Sequence, residues 1–180
     1  MAGIFDWFAA RGRRNVAVEG WRRFIITKAR DVTPYAQGWV SDTMEGRSQM
    51  VALVTTIVLR RLRSIGSHDP KLGQMLYHAI FDSFDAALRE DGVGDASIAR
   101  RMRKIGEEFV GLARAFDGAL ETENASEVEG VLVKNGVCSA SHSAALAAWL
   151  AALQVDLSTI EENDLLYGRI AATLSPDESP

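Results

Sequence analysis

The chain has 180 residues, 47% hydrophobic and 24% charged, with a formal net charge of −4. That length fits one domain whose core needs no disulfide or metal, the composition excludes wholesale disorder, and the net acidity excludes a dominant polyanion partner. The single cysteine, Cys138, excludes an intramolecular disulfide, and with only His68, His78 and His142 beside it no recognisable zinc site can be built.

The N-terminus places Ile4, Phe5, Trp7 and Phe8 before Arg11, Arg13 and Arg14. This is the reverse of a secretory signal, where the cations come first. Residues 1–14 form a candidate amphipathic helix that either lies in a membrane interface or staples its apolar side chains onto the core. The second reading is favoured, and Asp6 and Glu19 count against a transit peptide. Residues 1–30 carry seven Arg or Lys, whereas the stretch from Asp156 carries six acids against Arg169. Such asymmetry can steer a basic end toward RNA or anionic lipid, or simply be two solvated helix faces.

From Val16 onward helical periodicity dominates. Val16 to Arg30 carries Trp21, Phe24, Ile25 and Lys28, an apolar stripe flanked by basic residues. Pro34 disfavours helix at Thr33, which predicts a loop whose Tyr35 and Trp39 fold back on the core. Ser41 or Asp42, with Glu45 three residues after Asp42, predicts the capped start of a long helix. Its inward face is Met50, Val51, Val54, Ile57, Val58 and Leu62, and Gly66 is its expected end. The apolar run Met50–Leu59 meets Arg60 and Arg61 after about half of the ~20 residues a membrane span needs.

Pro70 suits the first turn of the next helix, in which Leu72, Leu76, Ile80, Phe84 and Leu88 make an i+4 stripe. Gly92-Val-Gly94 stops it. Asp95 or Ser97 is expected to cap a further helix that buries Ile98, Met102, Ile105, Phe109, Leu112 and Phe116. An acidic connector over Glu121–Glu129, a short helix over Val128–Val137, a helix over Ser139–Leu157 and a short one over Leu165–Leu174 complete the reading. The fold class is therefore all-α, a single compact bundle of about six to eight helices. Residues 15–174 form the helical domain and 175–180 a disordered tail.

Catalytic constellations are missing. Gly92-Val-Gly94 lacks the preceding strand and third glycine of a dinucleotide loop. Ser139, Ser141 and His142 have no identifiable acid partner, so His142 reads as a helix-surface or capping residue. Asp82 and Asp85 could ligate a metal only with a Glu-x-x-His pattern on a second helix, which does not occur. An ion pair with Arg89 is the better reading. No enzyme, metal or cofactor is expected. Two basic clusters stand out, Arg60-Arg61-Leu62-Arg63 and Arg100-Arg101-Met102-Arg103-Lys104. Each reads as a solvated helix face. If their helices are neighbours, the clusters could merge into one positive patch for acidic protein, lipid headgroup or RNA. No aromatics are interleaved with them, so base stacking is not indicated, and no sequence-specific nucleic acid is expected.

Three segments carry a resemblance: Asp42-Thr-Met-Glu-Gly-Arg47 leading to Leu59-Arg-Arg-Leu62, then Leu76 through Asp95 with Leu88-Arg-Glu-Asp-Gly-Val-Gly-Asp95 at its end, then Arg101-Met-Arg-Lys104 with Phe109 and Gly111. From about Trp21 to Leu120 the chain resembles the ubiquinol–cytochrome c chaperone family, which assists assembly of the cytochrome bc complex. It departs from the family pattern at Ser48 and Gln49, at Val54 in place of a histidine, at Ser83 in place of an acid, and at Val110-Gly-Leu112 in place of Tyr-Gly-Arg.

The resemblance implies an all-α, non-catalytic assembly chaperone that binds newly made cytochrome b, another bc-complex subunit or a small helper protein. It also implies a cytoplasmic location, peripheral on the inner membrane face with contact to anionic lipid, or a mitochondrial one in a eukaryote. The alternative is a general helical protein- or membrane-binding module. Candidate partner-binding residues are Asp42, Arg47, Arg60, Arg61, Asp85, Arg89, Glu90, Asp95, Arg101 and Lys104. On its own chemistry the Arg89–Asp95 junction is a hinge. Its glycines accept positive φ, and Arg89 and Asp95 suit the dipoles of the helix ends they occupy. That structural reading outweighs the idea that the junction mainly presents a partner surface.

Overall fold

In the computed structural model the backbone is described for residues 2–65, 70–90, 92 and 94–170, and side chains for all of these except 2–11, 13, 70, 95 and 96. Among the described residues there are eight helices and no strand: α1 Ala2–Ala29, α2 Val32–Ala36, α3 Met44–Ser64, α4 Pro70–Glu90, α5 Asp95–Glu121, α6 Ala125–Lys134, α7 Ser143–Ser158 and α8 Glu162–Leu166. No described helix is long and apolar enough to cross a membrane. The apolar side chains proposed for a staple or an anchor, Ile4 to Phe8, lie outside the described side chains, as do Gly66 and the tail after Ile170. The helix backbone itself runs unbroken from Ala2 to Ala29.

The apolar run in α3 explains the architecture. Every residue from Met50 to Val58 is buried, because α3 lies in the centre with α1, α5 and α7 packed around it. The sequence stripe assigns one inward face; the helix has no outward face over this run. The i+4 stripe of α4 is buried at all five positions. In α5 the expected residues are buried except Met102, which is half-buried. Tyr35 and Trp39 pack against the core as expected, and the Tyr35 hydroxyl donates to the Ala29 carbonyl at 2.7 Å.

Several boundaries differ from the sequence reading. Pro34 does not lie in a loop: it sits buried in the short helix α2, whose cap Asp31 accepts from the Thr33 amide. A proline in the first turn gives up no helical hydrogen bond, so it is tolerated there. The cap of α3 is Thr43, whose hydroxyl oxygen accepts from the Gly46 amide at 3.1 Å, and not Ser41 or Asp42. Gly94 occupies the N-cap of α5 without a side-chain bond, displacing Asp95 and Ser97 from that role. The connector after α5 shrinks to residues 122–124, where Asn124 caps α6 by accepting from Ser126. Ser139 to His142 form a turn, and α7 begins only at Ser143.

The end of the described chain docks on α1. The Trp21 indole N–H donates to the Leu165 carbonyl at 3.0 Å in a buried position. Gly168, at φ +67°, lies so close to Ala17 and Gly20 that a Cβ on either glycine would overlap backbone atoms. That contact fixes the position of α1 against the bundle.

Candidate partner-binding groove

The directions of the helices decide which motif residues meet. Arg60 and Arg63 of α3 reach Asp117 of α5, and Arg101 and Lys104 of α5 share a cleft with Met44, Glu45 and Ser48 of α3. The two helices therefore run parallel. Arg101 and Asp117 are sixteen residues apart, about 24 Å along a helix axis. The two basic clusters lie on neighbouring helices but at opposite ends of them, and do not merge.

The Arg60–Arg63 cluster is committed to the fold. Arg63 donates twice to Asp117, at 2.8 and 2.9 Å. Arg60 reaches the same carboxylate at 3.5 Å and the Leu120 carbonyl at 3.4 Å. Arg61 donates to the Leu157 carbonyl at the end of α7. These residues tie the ends of α3, α5 and α7 together, a structural use the sequence reading did not foresee.

The Asp42–Arg47 motif is also built for the fold first. A Cβ at Gly46 would overlap the Ser41 carbonyl oxygen, so only glycine lets the 41–43 loop cross the first turn of α3. Ser48, at a family departure, turns its hydroxyl back to the Glu45 carbonyl at 2.8 Å. Asp42 and Arg47 then pair across the turn at 2.6 Å with both side chains exposed, and the guanidinium holds the Asp42 carboxyl below its usual range.

That turn forms one wall of a groove of about 430 Å³ between α1, the start of α3 and the end of α4. Its apolar lining is Ile26 and Ala29 from α1, Met44 and Val51 from α3, and Phe84 and Ala87 from α4. Arg22, Arg30, Arg47 and Glu90 supply its charge, with Ser83 beside them. Arg22 donates to Glu19 at 2.7 and 2.8 Å and to the Ser83 hydroxyl at 3.3 Å. The bonds to Glu19 raise the Arg22 pKa and lower that of Glu19. Met44 is the exposed apolar residue at the rim, and it also borders the cleft that holds Arg101 and Lys104.

The expected site residues thus fall into groups. Arg47 and Glu90 line the groove, with Asp42 at its edge through Arg47. Arg101 and Lys104 stand one cleft away, past Met44. Asp85 and Arg89 form an ion pair at 2.7 Å on another face of α4, in an open depression with Phe81, Ile98 and Met102. Arg60 and Arg61 are at the far end of α3, and the Asp95 side chain lies outside the described ones. Sequence reasoning missed Arg22 and Arg30. They flank Ile26 at i−4 and i+4, a stripe beside the buried Trp21-Ile25-Ala29 row, and that spacing was the available signal.

Ser139 and Ser141 are 2.8 Å apart, and Ser139 lies 3.3 Å from His142 Nδ1, in an exposed turn. His142 takes the N-cap position of α7 but makes no side-chain cap bond.

The sequence profile described as ubiquinol–cytochrome c chaperone matches residues 37–173. The chain belongs to that family. Its fold is similar to the crystal structure of the Cbp3 homolog from Brucella abortus, with a TM-score of 0.73 and 27% sequence identity over 93% of this chain and 94% of that one. Among curated proteins no match is found. Family membership gives this protein a chaperone role tied to ubiquinol–cytochrome c. In this chaperone the groove takes one wall from α1, which precedes the matched region, and two walls from the motif segments inside it.

Proposed function

We propose that this protein is a non-catalytic assembly chaperone that binds newly made cytochrome b during biogenesis of the cytochrome bc complex, working at the inner face of the membrane. One observation carries the reading. Parts of the two segments that carry the resemblance, Met44 and Arg47 from the first and Phe84, Ala87 and Glu90 from the second, meet α1 in a groove with an apolar lining and a charged rim, the arrangement expected where a partly folded membrane-protein segment is held. A binding role also agrees with the use of Arg60, Arg61 and Arg63 as ties between helices.

The test is affinity capture of the full-length tagged chain from detergent-solubilised membranes after pulse labelling. Recovery of labelled cytochrome b is expected. Failure to recover it, together with unchanged bc complex after deletion of the chaperone, contradicts the proposal.

A further inference from the structure

The charge of the groove specifies what kind of segment fits it. The charged side chains that line it are Arg22, Arg30, Arg47 and Glu90. Arg22 is engaged by Glu19 and Arg47 by Asp42. Arg30 is different. It is the first residue after α1, it is exposed, and among the described residues no acid pairs with it. The adjacent acid offers it nothing, since Asp31 is taken by Lys28 at 3.3 Å. A guanidinium with its fork unoccupied, at the mouth of an apolar cleft, is a receptor for a carboxylate. Ile26, Phe84 and Ala87 behind it receive an apolar side chain at the same time.

We infer that the groove docks an extramembrane segment in which an Asp or Glu stands within one helical turn of a large apolar side chain, the carboxylate on Arg30 and the apolar group against Phe84. This deepens the proposed function and rests on it for the identity of the client, but the chemistry of the segment rests on the groove alone. A basic or purely apolar segment is disfavoured, because neither brings a carboxylate to Arg30, whose guanidinium it would cover without giving it a partner.

The experiment uses the full chain and fluorescent synthetic peptides that tile the extramembrane loops of cytochrome b. Each acidic peptide is paired with a version in which Asp and Glu become Asn and Gln. Acidic peptides are expected to bind, their neutral partners to bind about tenfold more weakly, and Arg30→Glu to lose a similar factor, about 1.4 kcal/mol. Arg30 is exposed, so the variant should keep the parent's helical circular dichroism and melting point. Ala87→Trp, which fills the groove without touching the charge, is expected to abolish binding as well. Equal binding by acidic and neutral peptides, or by the parent and Arg30→Glu, overturns the inference. If labelled cytochrome b is captured equally by the parent and Arg30→Glu, the inference fails while the chaperone reading stands. If no cytochrome b is captured at all but the acidic peptides still bind through Arg30, the inference stands and the choice of client fails.

Discussion

Gly46→Ala is expected to destabilise the protein through a turn that looks, in the sequence, like a partner-binding motif. The added Cβ overlaps the Ser41 carbonyl oxygen and comes within 3.2 Å of a Val40 methyl. Backbone must move, because the overlapping atom is not on a flexible side chain that could yield. Overpacking of this kind costs about 1–3 kcal/mol. Displacing the 41–43 loop also weakens the Thr43 cap, worth about 1 kcal/mol, while the helical preference of Ala over Gly returns about 0.5–1 kcal/mol. The net loss is roughly 2–3 kcal/mol, and for a domain of this size each kcal/mol moves the melting point by about 2–4 °C. Thermal unfolding followed by circular dichroism should show a fall of roughly 5–10 °C on that scale. Gly111→Ala is the control: it is helical with nothing within 4 Å of a new Cβ, so the melting point should hold or rise. A Gly46→Ala protein that melts within about a degree of the parent, on the same scale, refutes the close-approach account.

Trp21→Phe removes the buried bond to Leu165 and strands that carbonyl, at a cost of about 1–3 kcal/mol; limited proteolysis should then cut residues 162–170 sooner than elsewhere. Arg63→Ala breaks a half-exposed pair with Asp117 and should cost no more than about 1 kcal/mol, leaving cytochrome b capture unchanged, whereas strong loss of capture would put the client at the other end of α3. Burial raises the Tyr35 phenol to about 12. Because the folded form holds that proton more tightly than an ordinary tyrosine at about 10, its contribution to stability is complete below that value and is lost as the pH rises toward 12; burial also raises the Tyr77 phenol, so ultraviolet titration should show two phenols lagging, Tyr35 among them. Burial, with Glu129 nearby, also raises the Cys138 thiol, so an aromatic disulfide reagent should react slowly with the native protein and fast in denaturant.

The fold was legible where one physical signal acted alone. The α4 stripe needed only helical period, and all five positions proved buried. The junction at Gly92, with φ +74°, needed only glycine's freedom. Where two residues competed for one job the sequence could not choose. Asp42 and Thr43 are both good caps, and Asp42 lost because Arg47 holds it across the turn. The site was half legible. Arg47 and Glu90 were on motifs, but Arg22 and Arg30 gain their meaning only when α1 lies against α3 and α4. Arg60 and Arg61 resembled a binding patch because nothing local reveals that Asp117 and the Leu157 carbonyl are waiting on other helices.

We propose that groove occupancy is required for cytochrome b assembly. Its most direct measurement is the reduced-minus-oxidised spectrum of membranes from a deletion strain complemented with the parent, with Arg30→Glu or with Ala87→Trp, each at matched protein level. The parent should restore the b-type haem band of the bc complex, and the two groove variants should leave it low. Full restoration by both variants would contradict that claim.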